Sequence, residues 1–232
     1  MDHFQNIYQN HAENYHRLIQ AEDIEGNLLK TISQIVPLKG AHILDLGSGT
    51  GRFPIILANH VDHITGLDIS SGMLLEQKKQ TNKQNIDVNL VQGDIKHLPF
   101  ESNFVDILIS GWVIGHFPAW SPDNWMDQVK RSIKEMTRVV RKKGALIIIE
   151  TLTTGDYTPH PPTEELGQYY SWLENYWGFS KYEIATDYKF NSLDESMNLS
   201  KFFFGVELSE KVRENNWICI PEWTGVWVRY LE

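Results

Sequence analysis

The sequence predicts a doubly wound α/β fold, in which helices cover both faces of a mostly parallel sheet. Strand-like and helix-like segments alternate along the chain, as they do in such folds. The segment Ala145–Glu150 is almost entirely apolar, which is typical of a parallel strand that is covered on both faces. The 232 residues are enough for one domain of this kind with a small elaboration.

The elements of this fold can be placed in order. We predict five core strands, at 42–46, 63–69, 88–93, 104–111 and 145–152. Before the fifth strand, Ser121-Pro122-Asp123 should begin a helix and Gly144 should end it, because these residue types are typical of helix termini.

Two flanking regions lie outside these strands. Residues 3–36 have the apolar spacing of two helices, and Pro37 stops the second. After residue 153 we predict a proline-rich loop, a helix, a strand near 182–190, a helical stretch near 192–215 and a last strand near 224–231.

Composition excludes several classes of partner. The net charge of −9 argues against nucleic acid, because phosphate binding depends on clustered Lys and Arg. The basic run 138–143 is interpreted as the cationic end of a helix. No apolar run approaches the roughly 20 residues that span a bilayer, and the polar N-terminus is unlike a signal peptide. The single Cys219 cannot form an internal disulfide, so we expect a cytoplasmic protein.

The segment Ile43–Gly51 combines an apolar strand with three glycines spaced two apart. Glycine lets the backbone turn sharply and approach a ligand closely, because it has no Cβ. A strand, a glycine turn and a helix form the first half of a nucleotide-binding unit. A dinucleotide-binding loop needs a small residue at the third position after Gly49, and Arg52 stands there. The spacing therefore disfavours a dinucleotide.

Further candidate residues follow the next three strands. Asp68 lies 21 positions after Gly47, where a carboxylate can accept from both ribose hydroxyls of an adenosine. Asp94 can accept from an adenine amino group while Ile95 packs on the ring, and Gly111 allows close access to the backbone. An aspartate at one strand end can instead be a helix cap or turn residue. Its joint occurrence with the other motifs favours a ligand site at this edge of the sheet.

Together these motifs make residues 40–152 resemble the class I S-adenosylmethionine-dependent methyltransferases. The segment Asp68–Leu74 is similar to the small-molecule branch, which includes the quinone and sterol C-methyltransferases. The resemblance implies a seven-stranded, mostly parallel, Rossmann-like sheet and S-adenosylmethionine as cofactor. The cofactor-binding residues that it implies are Asp45, Gly47, Ser48, Gly49, Gly51, Asp68, Ile69, Met73, Asp94, Ile95, Ser110 and Gly111.

Because no Gly/Ser-rich linker separates the flanks from the core, we expect a single methyltransferase domain over residues 1–232. Residues 1–37 would form an N-terminal helical lid, 38–152 the cofactor-binding core, and 153–232 an elaboration on the substrate side that adds to the lid. The flanks match no subfamily with a named substrate. Enzymes that methylate amino groups of DNA or RNA place an Asn/Asp-Pro-Pro-aromatic motif after the fourth strand, whereas this chain has Ser110–Val113 without proline. A small-molecule acceptor is therefore expected.

Candidates for catalysis follow from the chemistry of methyl transfer. In-line displacement depends on positioning, and a general base is needed only if the acceptor is protonated. His116 ranks first because it follows the fourth strand, although it could merely pack there. His160 lies in the proline-rich loop, where it could be an ordinary loop residue. Tyr15, with Tyr8 and His11, lies on a helix that the resemblance places over the cofactor, or that simply packs.

Residues 169–190 contain nine aromatic side chains, which could line an apolar acceptor site or form core. Glu150 and Asp156 are possible polar contacts at the end of the fifth strand. No cluster has metal-ligand spacing, so no metal is expected.

The predicted function is thus S-adenosylmethionine-dependent methyl transfer to a small molecule. The alternative is a protein that binds the cofactor or its product without transferase activity, as a sensor or partner subunit. A nucleotide-dependent oxidoreductase is disfavoured by Arg52. The acceptor atom and the oligomeric state stay open.

Overall fold

The computed structural model describes residues 2–232 and contains a seven-stranded sheet. Its strands run in the order β3-β2-β1-β4-β5-β9-β6, and β7 pairs with β8 in a separate ribbon. Strands β1 to β5 are parallel, whereas β9 runs antiparallel to both of its neighbours. The strands are β1 His42–Leu46, β2 His63–Asp68, β3 Asn89–Gln92, β4 Val105–Gly111, β5 Val140–Thr154, β6 Ser180–Ala185, β7 Tyr188–Lys189, β8 Cys219–Ile220 and β9 Glu222–Tyr230. This confirms the predicted fold class.

Helices cover both faces of the sheet. They are α1 His3–Asn10, α2 Ala12–Gln20, α3 Asn27–Ile35, α4 Arg52–Leu57, α5 Ser71–Lys83, α6 Phe117–Trp120, α7 Trp125–Val139, α8 Glu164–Asn175, α9 Leu193–Phe204 and α10 Val206–Asn215. A single 3-10 turn, Ile114–His116, precedes α6. Adjacent residues of β1 point into different apolar layers, Leu44 into one and Ile43 into the other. Both faces are therefore buried, as the apolar strands indicate.

The helix before β5 differs from its prediction at both ends. Ser121 does not begin it; instead the Ser121 N–H bonds the Phe117 carbonyl at the end of α6, and α7 starts at Trp125. Gly144 does not end it, because Val140 already pairs with Val105 in the sheet. The basic run 138–143 therefore spans the last turn of α7 and the start of β5.

The flanking regions are more broken than their patterns predict. Three helices, not two, precede Pro37, because a turn that includes Gly26 at φ +66° separates α2 from α3. The strand predicted near 182–190 is two strands, and the helical stretch near 192–215 is interrupted at Gly205, where φ is +96°.

A third apolar cluster joins the two flanks to each other. Leu18 of α2 is buried with residues that all lie near the other end of the chain: Tyr188, Phe190, Leu199, Val212 and Ile220. Backbone hydrogen bonds from Asp23 to Thr186 and from Lys189 to Ala21 extend the contact. None of the helices in residues 2–232 is long and apolar enough to cross a membrane.

Candidate active site

The glycine loop links β1 to α4 and needs its glycines. Gly47, Gly49 and Gly51 have φ values of +65°, +54° and +96°, in the left-handed region that other residues avoid. A Cβ on Gly47 would lie 2.2 Å from Val113 Cγ2. The loop therefore lies directly against the segment that follows β4.

Replacement of Gly47 by alanine tests this contact. The left-handed backbone alone should destabilise the protein by roughly 1–2 kcal/mol, and the clash with Val113 should add roughly 1–3 kcal/mol. Gly40→Ala is the matched control, because Gly40 has φ +81° and a Cβ added to it would meet no atom within 4 Å. Thermal unfolding should show a larger loss for Gly47→Ala than for Gly40→Ala, and equal losses would contradict the steric argument.

Asp68 ends β2 and fixes the glycine loop to the next turn. Its two carboxylate oxygens accept hydrogen bonds from the Gly49 N–H and the Ser70 N–H, each at 2.8 Å. Burial raises the pKa of Asp68, and these backbone donors oppose the rise. Because a carboxylate has about four acceptor positions, two remain for a ligand.

The glycine loop, Asp68 and the first two helices meet around a cavity of about 440 Å³ beyond the carboxyl ends of the parallel strands. This is where ligands bind in doubly wound sheets. The residues that line it are Gln5, Tyr8, Gln9, Tyr15, Gly47, Gly49, Asp68, Ile69, Ser70, Met73, Gly93, Asp94, Ile95, Lys96, Gly111, Trp112, Val113, His116, Phe117 and Trp120. Two other hollows lie on the outer faces of α7 and α8.

One end of the cavity combines an apolar face with an acid. Ile69 is 69% exposed although it is apolar, and it lines the cavity with Asp94 and Ile95. Lys96 forms an ion pair with Asp94 at 3.3 Å. An exposed isoleucine beside a hydrogen-bond acceptor fits a flat ring that carries an amino group.

Four of the predicted cofactor residues lie beneath the cavity wall instead of lining it. Ser48 Oγ donates to Asp45 Oδ2 at 2.6 Å, and burial raises the pKa of Asp45 to about 7. Among the described residues, Asp45 Oδ1 and the buried Ser110 Oγ have no hydrogen-bond partner. Gly51 caps α4. Direct ligand contact for these four stays a prediction.

Helices α1 and α2, which we call the lid helices, close the cavity from above. They contribute Gln5, Tyr8 and Gln9 from α1 and Tyr15 from α2. Ser70 Oγ donates to the Tyr8 carbonyl at 2.9 Å and ties α1 to the turn after Asp68. Sequence reasoning missed Gln5 and Gln9; their spacing of four residues, with Tyr8 beside them, was the available signal.

His116 lies at the other end of the cavity, beside Gly111 and Trp112. The Tyr8 hydroxyl and His116 Nε2 are 3.0 Å apart. The imidazole stacks on Trp120 with ring centres 4.4 Å apart and planes 5° from parallel. Burial lowers the pKa of His116 to about 4, so the ring is neutral at pH 7. Sequence reasoning did not single out Trp120.

A buried carboxyl supports the turn that carries His116. Glu150 Oε1 accepts a hydrogen bond from the Gly115 N–H at 2.8 Å. Burial raises the pKa of Glu150 to about 8, and the backbone donors oppose the rise. Glu150 is therefore mostly uncharged at pH 7, and its hydrogen bond to Gly115 fixes the turn.

The structure does not bring His160 or His11 to the cavity. His160 is exposed, and its backbone N–H bonds Thr153 Oγ1, which folds the loop back onto β5. Asp156 is 3.9 Å from His160 and also lies outside the cavity. His11 is exposed and packs edge-on against Phe202. The position of His160 thus gives no support to its predicted catalytic role.

The nine aromatic residues of 169–190 do not line the cavity either. Five of them are buried: Tyr169, Tyr170, Phe179, Tyr188 and Phe190. Trp172 and Trp177 pack against the same core, and Tyr176 and Tyr182 are exposed. The aromatic side chains of the cavity come from the lid helices and from residues 112–120 instead. Within residues 2–232, no three His, Cys, Asp or Glu side chains are grouped to hold a metal ion.

This sheet order, with a glycine loop after β1 and an acid after β2, is the arrangement that the resemblance to the class I S-adenosylmethionine-dependent methyltransferases implies. Residues 44–148 match the family described as "Methyltransferase domain". S-adenosylmethionine is the cofactor of this class. The exposed Ile69 beside Asp94 fits the adenine of this cofactor.

A curated relative is named as a methyltransferase, and solved structures share the fold. The demethylmenaquinone methyltransferase of Staphylococcus haemolyticus is 30% identical over 151 residues, which are 62% of this chain and 59% of the relative. The chain thus matches less than two thirds of that relative's length. Two solved structures share the fold: YcgJ of Bacillus subtilis and a SAM-dependent methyltransferase of Aquifex aeolicus. YcgJ has a TM-score of 0.58 at 13% identity over 89% of this chain and 99% of its own. The Aquifex protein has a TM-score of 0.55 at 14% identity over 98% of both chains.

Proposed function

We propose that this protein transfers a methyl group from S-adenosylmethionine to a small, uncharged acceptor that is deprotonated at the Tyr8–His116 end of the cavity. The observation that carries the proposal is the 3.0 Å contact between the Tyr8 hydroxyl and His116 Nε2 inside the cavity that the glycine loop lines. A neutral imidazole paired with a phenol is suited to accept a proton.

The cofactor would lie along the cavity from Ile69 to Gly111. Asp68 would accept from the ribose hydroxyls, Asp94 would accept from the adenine amino group, and Gly47 and Gly49 would adjoin the methionine portion. When bound, S-adenosylmethionine supplies an electrophilic methyl group on a positively charged sulfur. The lid helices would keep water from this end of the cavity, which favours displacement by the acceptor.

The chain's own residues would move the acceptor's proton. The acceptor O–H, or an activated C–H, gives its proton to the Tyr8 oxygen while the Tyr8 hydroxyl proton passes to His116 Nε2. Burial, followed by the nearby Tyr15, holds the pKa of Tyr8 well above its ordinary value, so Tyr8 stays a neutral relay and does not ionise. The imidazolium that forms is stacked on Trp120, whose ring face stabilises a cation.

The side chains at this end indicate the class of acceptor. The charged residues of the cavity are Asp68, Asp94 and Lys96, and they line its adenine end. The acceptor end is formed by neutral, mostly aromatic groups: Tyr8, Tyr15, Trp112, Val113, His116, Phe117 and Trp120. Such walls favour a planar, uncharged acceptor. A quinone-type compound, which the name of the Staphylococcus relative specifies for that protein, is one acceptor of this kind.

The flanks have a role in this proposal. Residues 1–37 serve as the lid, 38–152 as the cofactor-binding core, and 153–232 as the support against which the lid closes. The buried contact of Leu18 with the 188–220 region supports this division of one domain.

A methyl-transfer screen tests the proposal. The wild-type protein is incubated with methyl-labelled S-adenosylmethionine and a panel of phenols, hydroquinones and charged amines, and products are identified by mass spectrometry. We expect labelled product from the uncharged planar compounds. Calorimetry should show binding of S-adenosylhomocysteine and much weaker binding of NAD. Tight NAD binding without S-adenosylhomocysteine binding would refute the proposal.

A further inference from the structure

Arg52, which disfavoured a dinucleotide loop, is buried at the start of α4. Its side chain is 12% exposed, and its Nη2 donates to Glu22 Oε2 at 2.6 Å. The Glu22 side chain is 2% exposed and lies just after α2. Buried charges are tolerated only when they are paired, so the two side chains hold each other in place.

The same ion pair contacts two further segments. The Tyr188 hydroxyl donates to Glu22 Oε2 at 2.9 Å, and the Arg52 guanidinium lies 4.1 Å from the centre of the Trp112 ring. Arg52 therefore joins the glycine loop to the end of α2, to β7 and to the segment after β4.

Two consecutive residues of helix α2 lie next to two consecutive residues of the glycine loop. A Cβ on Gly49 would lie 3.6 Å from Tyr15 Cε1, and His16 Nδ1 is 3.0 Å from Thr50 Oγ1. The contact of Glu22 with Arg52 continues this series. The position of the lid helices is thus tied to the loop that lines the cavity.

Trp112 is the link from Arg52 to the acceptor end. It lines the cavity and has φ +55°, which is rare for a bulky residue. The Thr151 hydroxyl accepts from its indole N–H at 3.1 Å, and the Ile149 carbonyl accepts from its backbone N–H at 2.7 Å. The guanidinium covers one ring face, so the strained wall is held by bonds on one side and by Arg52 on the other.

The Arg52–Glu22 ion pair is short, but not all of its polar atoms have hydrogen-bond partners within the described residues. Arg52 Nη1 and Glu22 Oε1 are buried without hydrogen-bond partners among the described residues, and so is Glu222 Oε2, which belongs to the same charge cluster.

We infer that Arg52 is a positioning residue that couples closure of the lid helices to the placement of Trp112, so that the acceptor wall is complete only when Glu22 is docked. The inference rests on the proposed function where it names the Trp112 side as the acceptor side. The coupling itself is independent of the acceptor.

Native-state hydrogen exchange read by mass spectrometry tests the coupling. In Arg52→Met, amides of residues 3–20 and of 111–117 should exchange faster together, by roughly tenfold, since a buried charge-assisted bond is lost. The dissociation of S-adenosylhomocysteine should accelerate as well. Arg141→Met is the control, because Arg141 forms a 2.8 Å pair with Asp106 near the amino ends of β4 and β5, away from the cavity. It should leave both segments unchanged.

Two milder variants keep the test decisive if Arg52→Met does not fold. Glu22→Gln retains the shape of the pair and should loosen both segments less. Arg52→Lys retains the ion pair but loses the planar contact, so residues 3–20 should stay protected while 111–117 exchange faster. Unchanged exchange in these variants, or equal loosening in Arg52→Lys, would overturn the inference. Coupled exchange in a protein that methylates nothing would refute only the proposed function.

Discussion

Replacement of His116 by asparagine is expected to lower kcat roughly 100- to 10,000-fold, because the site loses its proton acceptor. Asparagine can still accept a hydrogen bond from Tyr8 but cannot take up a proton. Binding of S-adenosylhomocysteine should be nearly unchanged, because the His116 ring forms its hydrogen bond with Tyr8 and not with Asp68 or the glycine loop. The measurement is steady-state kinetics with an acceptor from the screen, alongside calorimetry.

The pH dependence gives an independent check on His116. Burial lowers the pKa of His116 to about 4, although Asp2 opposes the fall. A lowered pKa keeps the imidazole neutral and competent above pH 4, and protonation removes the base below it. In the free enzyme the acid limb of kcat/KM should therefore lie near pH 4, not near the ordinary histidine value of about 6.5.

The Tyr8→Phe variant tests whether the acceptor's proton passes through Tyr8 or goes directly to His116. It should lower kcat nearly as much as His116→Asn if the proton passes through Tyr8, and a fully active Tyr8→Phe would mean that the acceptor reaches His116 directly. If His116→Asn loses cofactor binding together with kcat, the ring serves the structure of the turn and not the chemistry.

Replacement of Asp68 by alanine should raise the Kd for S-adenosylhomocysteine roughly 10- to 100-fold. Hydrogen bonds to a charged group are worth roughly 1.5–3 kcal/mol, and about 1.4 kcal/mol corresponds to tenfold. The variant loses the ribose acceptor and also frees the Gly49 and Ser70 N–H groups that Asp68 binds. Calorimetry measures the affinity, and thermal unfolding without ligand measures the effect on the loop.

Asp94→Ala is the matched comparison for Asp68→Ala. Asp94 occupies the equivalent end of β3 but is partly exposed and paired with Lys96, so its loss should weaken binding less. If Asp68→Ala destabilises the free protein without weakening binding, Asp68 is a turn residue only.

The core of the site could be predicted because local patterns encode it. The apolar strand that ends at Leu46 and the glycines after it predict a tight loop. Strand β1 occupies the predicted residues 42–46. Asp68, Asp94 and Gly111 could be placed at one edge because parallel strands end together. Each of these inferences needs only the alternation of elements and the chemistry of one turn.

The rest of the site depends on how distant segments dock. Gln5 and Gln9 reach the cavity because α1 packs over the turn after Asp68. No sequence pattern within α1 predicts that it packs on this turn. His160 is close in sequence to the end of β5, yet its bond to Thr153 turns the loop away. Tyr and Phe occur both among the buried aromatic residues of 169–190 and among the aromatic residues that line the cavity, so residue type alone does not distinguish the core from the cavity wall.

The third apolar cluster has a consequence for the order in which the molecule forms during synthesis. Leu18 is buried in a cluster with residues of 188–220, and the Tyr188 hydroxyl donates to Glu22. Domains begin to fold while the chain is still being made, from its N-terminal side. On the ribosome the glycine loop and strands β1 to β5 can therefore assemble before α2 gains its buried contacts with residues 188–220. A helix that is translated early is thus completed by residues that are translated late.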